Sequence, residues 1–136
     1  MTDLLAPISA GLVCAIAIAV SGRITRFEQE LSFYPTILIV IASYYVLFAV
    51  MAKQAILEES VGLIIFSTIA LIGAFKAPAL VGLGIILHGA FDLLHPQLIE
   101  NAGVPNWWPA FCAAVDFVLG AWVIYLARTT ETSPTR

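Results

Sequence analysis

The run Leu87-His88-Gly89-Ala90-Phe91-Asp92-Leu93-Leu94-His95-Pro96 decides how this chain is read. It holds both histidines of the protein and, in Asp92, one of two acids set inside an apolar stretch, the other being Asp116. His88, Asp92 and His95 are spaced i, i+4, i+7. On a helix turning about 100° per residue, their side chains share an arc of roughly 60°. The rest of the run is apolar or small. One polar stripe on an otherwise greasy helix predicts a membrane bundle built around that stripe.

Composition points the same way. The chain has 136 residues, enough for one domain, with 61% hydrophobic and 11% charged residues. A soluble domain carries about 25% charged residues. Mean hydropathy is +0.99. A water-soluble fold of this size has too little interior for so much apolar surface, so the expected surroundings are a lipid bilayer. The net charge of −3 discriminates little, and no basic tract suggests nucleic acid.

Five apolar runs follow one another at about 4–21, 33–52, 59–75, 79–95 and 110–127. They predict an all-α, polytopic bundle of five transmembrane helices, a single unit over 1–128 followed by a polar tail at 129–136. Pro7, Pro35, Pro78 and Pro109 each fall at the start of a run, where a helix loses nothing by lacking an N–H. The third run, at about 17 residues, is at the lower limit for crossing. The alternative is a re-entrant hairpin made of the third and fourth runs. The first run lacks the basic leader and small-residue cleavage site of a signal peptide and is expected to be retained. Between the first two runs, Ile24, Phe27 and Leu31 recur at helical spacing in a polar stretch, as in a short interfacial helix or loop.

Gly11, Ala15 and Ala19, and likewise Gly82, Gly84 and Gly89, make small faces suited to close helix contact and to self-association as a homo-oligomer. Cys14 and Cys112 lie within apolar runs and read as packing residues. In the loop 96–108, Trp107 and Trp108 suit an interfacial aromatic belt or a lid over a hydrophobic substrate. Asn101 and Asn106 lie in the same loop without any pattern to distinguish them.

Charge placement orients the bundle. With the N-terminus outside and the C-terminus cytoplasmic, the inner side carries Arg23, Arg26, Lys76, Arg128 and Arg136, and the outer side only Lys53. That is the positive-inside bias, and the expected location is a bacterial inner (plasma) membrane. His88, Asp92 and His95 then fall in the outer half of the fourth span. Asp116 lies about 10 Å down the fifth, with Glu58 and Glu59 at the mouth of the third.

An intramembrane aspartate costs about 2.5–3.5 kcal/mol at helix centre and so pairs, binds an ion or faces a wet cavity. His88, Asp92, His95 and Asp116, with Glu58 or Glu59, form a candidate ligand set for a divalent metal. Nitrogen and oxygen ligands of this kind suit Zn, Fe or Mn. Cys112, four residues before Asp116, shares its face. In a metal-free alternative, Asp92 or Asp116 acts as an acid and His88 as a base. The expected function is a membrane-embedded enzyme, metal-dependent and acting on a lipid-like or other hydrophobic small-molecule substrate from the outer face. Its catalytic residues would be His88, Asp92 and Asp116. The alternative is a non-enzymatic interaction subunit, with the Asp–His network a structural lock, or an ion or proton transport subunit using it as a relay. For transport, only Ser67 and Thr68 offer polar groups in the inner half.

The pattern His88-Gly89-x-x-Asp92-x-x-His95-Pro96, then Gly103-Val104-Pro105-x-Trp107-x-Pro109-x-Phe111-Cys112-x-x-x-Asp116, resembles the signature of a family of small integral-membrane proteins of uncharacterised activity. The resemblance covers roughly the last third of the chain and implies a membrane protein without implying a reaction. Similar histidine–aspartate sets occur in membrane hydrolases of the ceramidase type, which have seven spans and more histidines than this chain.

Overall fold

The computed structural model describes residues 4–131. They form five helices, α1 (Leu5–Thr25), α2 (Phe33–Ala52), α3 (Ile56–Lys76), α4 (Pro78–Leu98) and α5 (Trp108–Glu131), with no strand among the described residues. All five are long and apolar enough to cross a membrane. A helix of 21 residues such as α3 or α4 is about 31 Å long, against a hydrocarbon core of about 30 Å. α3 starts at Ile56, before Glu58 and Glu59, and reaches Lys76. Its length removes the reason for reading α3 and α4 as two half-spans of a hairpin.

Short connections make sequential helices antiparallel. One end of the bundle carries the α2–α3 turn and the loop 99–107, and is called the loop end below. The other, the turn end, carries the 26–32 link and the α3–α4 turn. The polar stretch after the first run is partly α1 itself, which continues to Thr25, and partly a single 3-10 turn at Phe27–Gln29. α5 runs on through Glu131, past the span end expected at 127. The remaining tail, Arg136 included, lies outside the described residues.

Two departures from simple helix punctuation matter near the loop end. Pro96, expected to open the loop, lies inside α4, which continues to Leu98. A proline there has no N–H to give the carbonyl four residues back, which belongs to Asp92. In the α2–α3 turn, Lys53 and Ala55 are both left-handed, at φ 54° and 56°. Lys53 takes the position usually given to glycine after a helix: its N–H meets the Val50 carbonyl, and that of Gln54 meets Ala49.

α4 is the central helix. It packs against α5, α3 and α2, while α5 also packs against α1 and α2 against α3. Its approach to α5 depends on Gly82 and Gly120, which face each other. A Cβ on Gly82 would stand 2.8 Å from the Gly120 carbonyl oxygen, and one on Gly120 2.7 Å from the Gly82 carbonyl oxygen. The small face of α1 is used in the same way, Gly11 lying against Phe111 and Ala114 of α5. These small-residue faces therefore serve contacts within the chain.

Leu38, Ala70, Ile85 and Leu119 form a fully buried apolar core. The outward faces are apolar too: Val13, Ile16, Met51, Leu57 and Phe75 are all exposed. Apolar surface over every helix fits acyl chains rather than water as the surrounding medium.

Candidate metal centre

The stripe read from α4 is buried along its length. His88 and Asp92 have no exposure and His95 has 2%. The helix turns these side chains inward because the bundle surrounds α4 on three sides. From α5, Asp116 arrives fully buried at the same level. Gly89 lets it approach, since a Cβ there would stand 2.9 Å from that of Asp116.

His88 Nδ1 lies 2.8 Å from Asp116 Oδ2 and 3.6 Å from Asp92 Oδ2. The first distance is a hydrogen bond donated by the ring nitrogen; the second is beyond one. Tyr45 of α2, also buried, donates its hydroxyl to Asp92 Oδ1 at 2.7 Å. With one ligand atom from each residue, His88, Asp92 and Asp116 place all three within 4.8 Å of one another. They form a buried group close enough to hold a metal ion.

Three atoms of this group are buried without a hydrogen-bond partner: His88 Nε2, Asp92 Oδ2 and Asp116 Oδ1. Buried polar atoms are nearly always paired, because an unpaired one costs about 1–3 kcal/mol. Charge is also unbalanced. The basic side chains of the described residues sit at the helix ends, Arg23, Arg26, Lys76 and Arg128 at the turn end and Lys53 at the loop end. Two ionised carboxylates beside one imidazole therefore leave at least one negative charge to be met by a cation or a proton. The donor set fits a divalent ion: one imidazole nitrogen, two carboxylates, and orphaned oxygens on both acids.

The remaining expected ligands separate from this group. His95 Nε2 donates to Glu59 Oε1 at 2.7 Å, and Asn101 donates to the same oxygen at 2.8 Å. Asn101 also reaches the Tyr45 carbonyl at 3.3 Å, and its own carbonyl accepts from the Gly103 N–H at 3.1 Å. This second cluster lies nearer the loop end. Tyr45 joins the two, its ring stacked on that of His95 with centroids 4.2 Å apart. Glu58 is exposed in the first turn of α3 and belongs to neither cluster. The first cluster is deeper than its α4 stripe suggested, because α4 extends to Leu98: His88 is ten residues from either end, about 15 Å.

Two site residues escape sequence reasoning. Tyr44 and Tyr45 are adjacent, and α2 is apolar all round, so nothing in the sequence says which one points inward. Tyr45 does; Tyr44 packs on Trp108, centroids 5.0 Å apart. Asn101 is distant in sequence from Tyr45 and Glu59, and only its place in the loop over the mouth hinted at it. Trp108 packs on Phe48 as well, while Trp107 is half-exposed. Cys112 is buried beside Asp116 as a free thiol, and Cys14 is free too.

No family model, curated protein or solved structure matches the chain.

Proposed function

We propose that this protein is a membrane-embedded, metal-dependent enzyme acting on a lipid-like or other hydrophobic substrate, with His88, Asp92 and Asp116 as metal ligands. The observation that carries this is the pair of partnerless carboxylate oxygens, Asp92 Oδ2 and Asp116 Oδ1, in a buried, charge-unbalanced group with His88 that is walled by apolar helices. Three protein ligands, rather than four, are typical of catalytic rather than structural metal sites. A divalent ion held there supplies Lewis acidity toward a substrate oxygen or water.

The protein's own groups have distinct parts. His88 Nδ1 faces both carboxylates, so holding an ion through this nitrogen would require the ring to give up its Nδ1 proton. Tyr45 fixes Asp92 through Oδ1 and leaves Oδ2 free to coordinate. The Glu59–His95–Asn101 cluster holds the loop 99–107 over the mouth. His88, Asp92 and Asp116 are fully buried, so a substrate reaches the centre only once the bundle opens at that mouth. The positive-inside bias supports an outer position for the loop end, with the N-terminus outside and the C-terminus cytoplasmic in a bacterial plasma membrane. The run from His88 to Asp116 also suits membership of the family of small membrane proteins it resembles.

A relay across the membrane is less well supported. Thr68 donates its hydroxyl to the Ile64 carbonyl of its own helix, and the core on the turn-end side of His88 is apolar. A purely structural Asp–His lock leaves the unpartnered Asp92 Oδ2 and Asp116 Oδ1 unexplained.

The test is elemental analysis of protein purified without chelator, combined with turnover of a panel of hydrophobic esters and amides. Wild type is expected to hold about one divalent ion per chain and to lose turnover with it. Asp116→Asn keeps an acceptor for His88 but removes the charge, and is expected to fold and lose the ion. Metal-free wild type, or full metal content in Asp116→Asn, overturns the assignment.

A further inference from the structure

The turn end holds a second feature, independent of the metal centre. Two cavities meet there, and Arg23 lines both. One, of about 700 Å³, is a bilayer-facing groove between α1 and α5, lined by Ile16, Val20, Val118, Trp122 and Tyr125. The other, of about 690 Å³, has an apolar floor at Pro78, Val81 and Val123 and a polar rim that includes Glu28 and Tyr34. The wall between them is joined by contacts: Arg23 Cζ lies 5.9 Å from the Trp122 ring centroid, and Trp122 Nε1 donates to the Tyr34 hydroxyl at 3.1 Å.

The second cavity contains an unexplained group. The Glu28 side chain is only 9% exposed, and Arg23 donates to its Oε1 at 3.1 Å. Its Oε2 is buried with no partner. A buried carboxylate oxygen lining a cavity needs a hydrogen-bond donor, and a cationic one most of all. Arg23 is 62% exposed and uses one nitrogen on Glu28, so its guanidinium keeps donors for an anion. An unmet acceptor, a guanidinium and an apolar groove therefore follow one another at the end of a bilayer-length helix, the depth of lipid headgroups.

We propose that this is a binding site for an ethanolamine glycerophospholipid. The ammonium donates to Glu28 Oε2, the phosphate accepts from Arg23, and one acyl chain lies in the groove against Trp122 and Tyr125. A choline headgroup has the charge but no N–H to donate, and a glycerol headgroup has no cation, so both bind less well.

The test uses delipidated full-length protein in detergent, titrated with ethanolamine, choline and glycerol phospholipids of identical acyl chains. Native mass spectrometry and melting temperature are the readouts. The ethanolamine lipid is expected to bind at least ten-fold more tightly than the other two. Glu28→Gln is expected to erase that preference, and Arg23→Gln to weaken all three lipids. Equal binding of the three, or a preference that survives Glu28→Gln, overturns the site. Competition by soluble phosphoethanolamine as strong as by the lipid overturns the role of the groove. Should Glu28→Gln not fold, lipids brominated on the acyl chain decide in a Trp107→Phe/Trp108→Phe background, where Trp122 is the one indole left. Quenching must then appear at a lower fraction of the ethanolamine lipid, and identical curves refute the proposal.

Discussion

Tyr45→Phe is the most informative single change. It deletes one hydroxyl and keeps the ring that stacks on His95 at 4.2 Å. The lost bond is the 2.7 Å contact to Asp92 Oδ1, and a hydrogen bond to a charged group contributes about 1.5–3 kcal/mol. Removing the partner that orients a metal ligand typically lowers metal affinity 10–100-fold, which is about 1.4–2.8 kcal/mol. The two estimates agree, so the expected outcome is a rise in Kd within that range. Without metal, Asp92 Oδ1 joins Oδ2 as a buried oxygen with no partner, and the apoprotein is expected to lose about 1–3 kcal/mol of stability. The assay is a competitive titration of Zn, Mn and Fe(II) against a fluorescent chelator in detergent, with melting temperature followed in parallel. A folded variant whose Kd stays within two-fold of wild type would falsify the idea that Tyr45 positions a ligand. If wild type itself takes up no ion, the metal centre fails first and independently.

Other perturbations address other parts of the molecule. Gly120→Ala places a methyl 2.7 Å from the Gly82 carbonyl oxygen; overpacking of this kind costs about 1–3 kcal/mol, and a lowered melting temperature is expected, whereas an unchanged one means that α4 and α5 are not in tight contact. Asn101→Ala removes the donor to Glu59 and Tyr45 at a cost of about 1–2 kcal/mol; faster amide exchange is expected over 99–107, with metal affinity kept, and slow exchange there shows that something else holds the loop. Cysteines at Lys53 and Lys76, in a background lacking Cys14 and Cys112, are expected to react with an impermeant thiol reagent from the outer and inner side respectively. The reverse pattern inverts the topology.

Much of the architecture is legible in the sequence because bilayer-length apolar runs permit few alternatives, and prolines at positions 7, 35, 78 and 109 mark where helices begin. The inward face of α4 is legible for another reason: its polar residues lie in a single arc, and burying that arc fixes the helix's rotation. α2 and α3 offer no such handle. Both are apolar on every side, so a rotation of about 100° that exchanges Tyr44 for Tyr45, or Glu58 for Glu59, leaves no trace in hydropathy. The division of the polar set into two clusters is equally hidden. His88 and His95 share a helix face, but their partners come from α5 in one case and from α3 and the loop in the other. Pro96 misleads because a proline in the last turn of a helix leaves only one carbonyl, that of Asp92, without its helical N–H.

The polar chain through α4 is one-sided. From Asp116 it passes by His88, Asp92 and Tyr45 to His95, Glu59 and Asn101, always toward the loop end, while Leu38, Ala70, Ile85 and Leu119 close the opposite direction. If the centre takes up a cation as proposed, exchange is expected with the solution on that side alone, because the opposite side is closed by buried apolar residues. In a membrane that separates two pH values, the occupancy of the pocket follows one reservoir and is blind to the other.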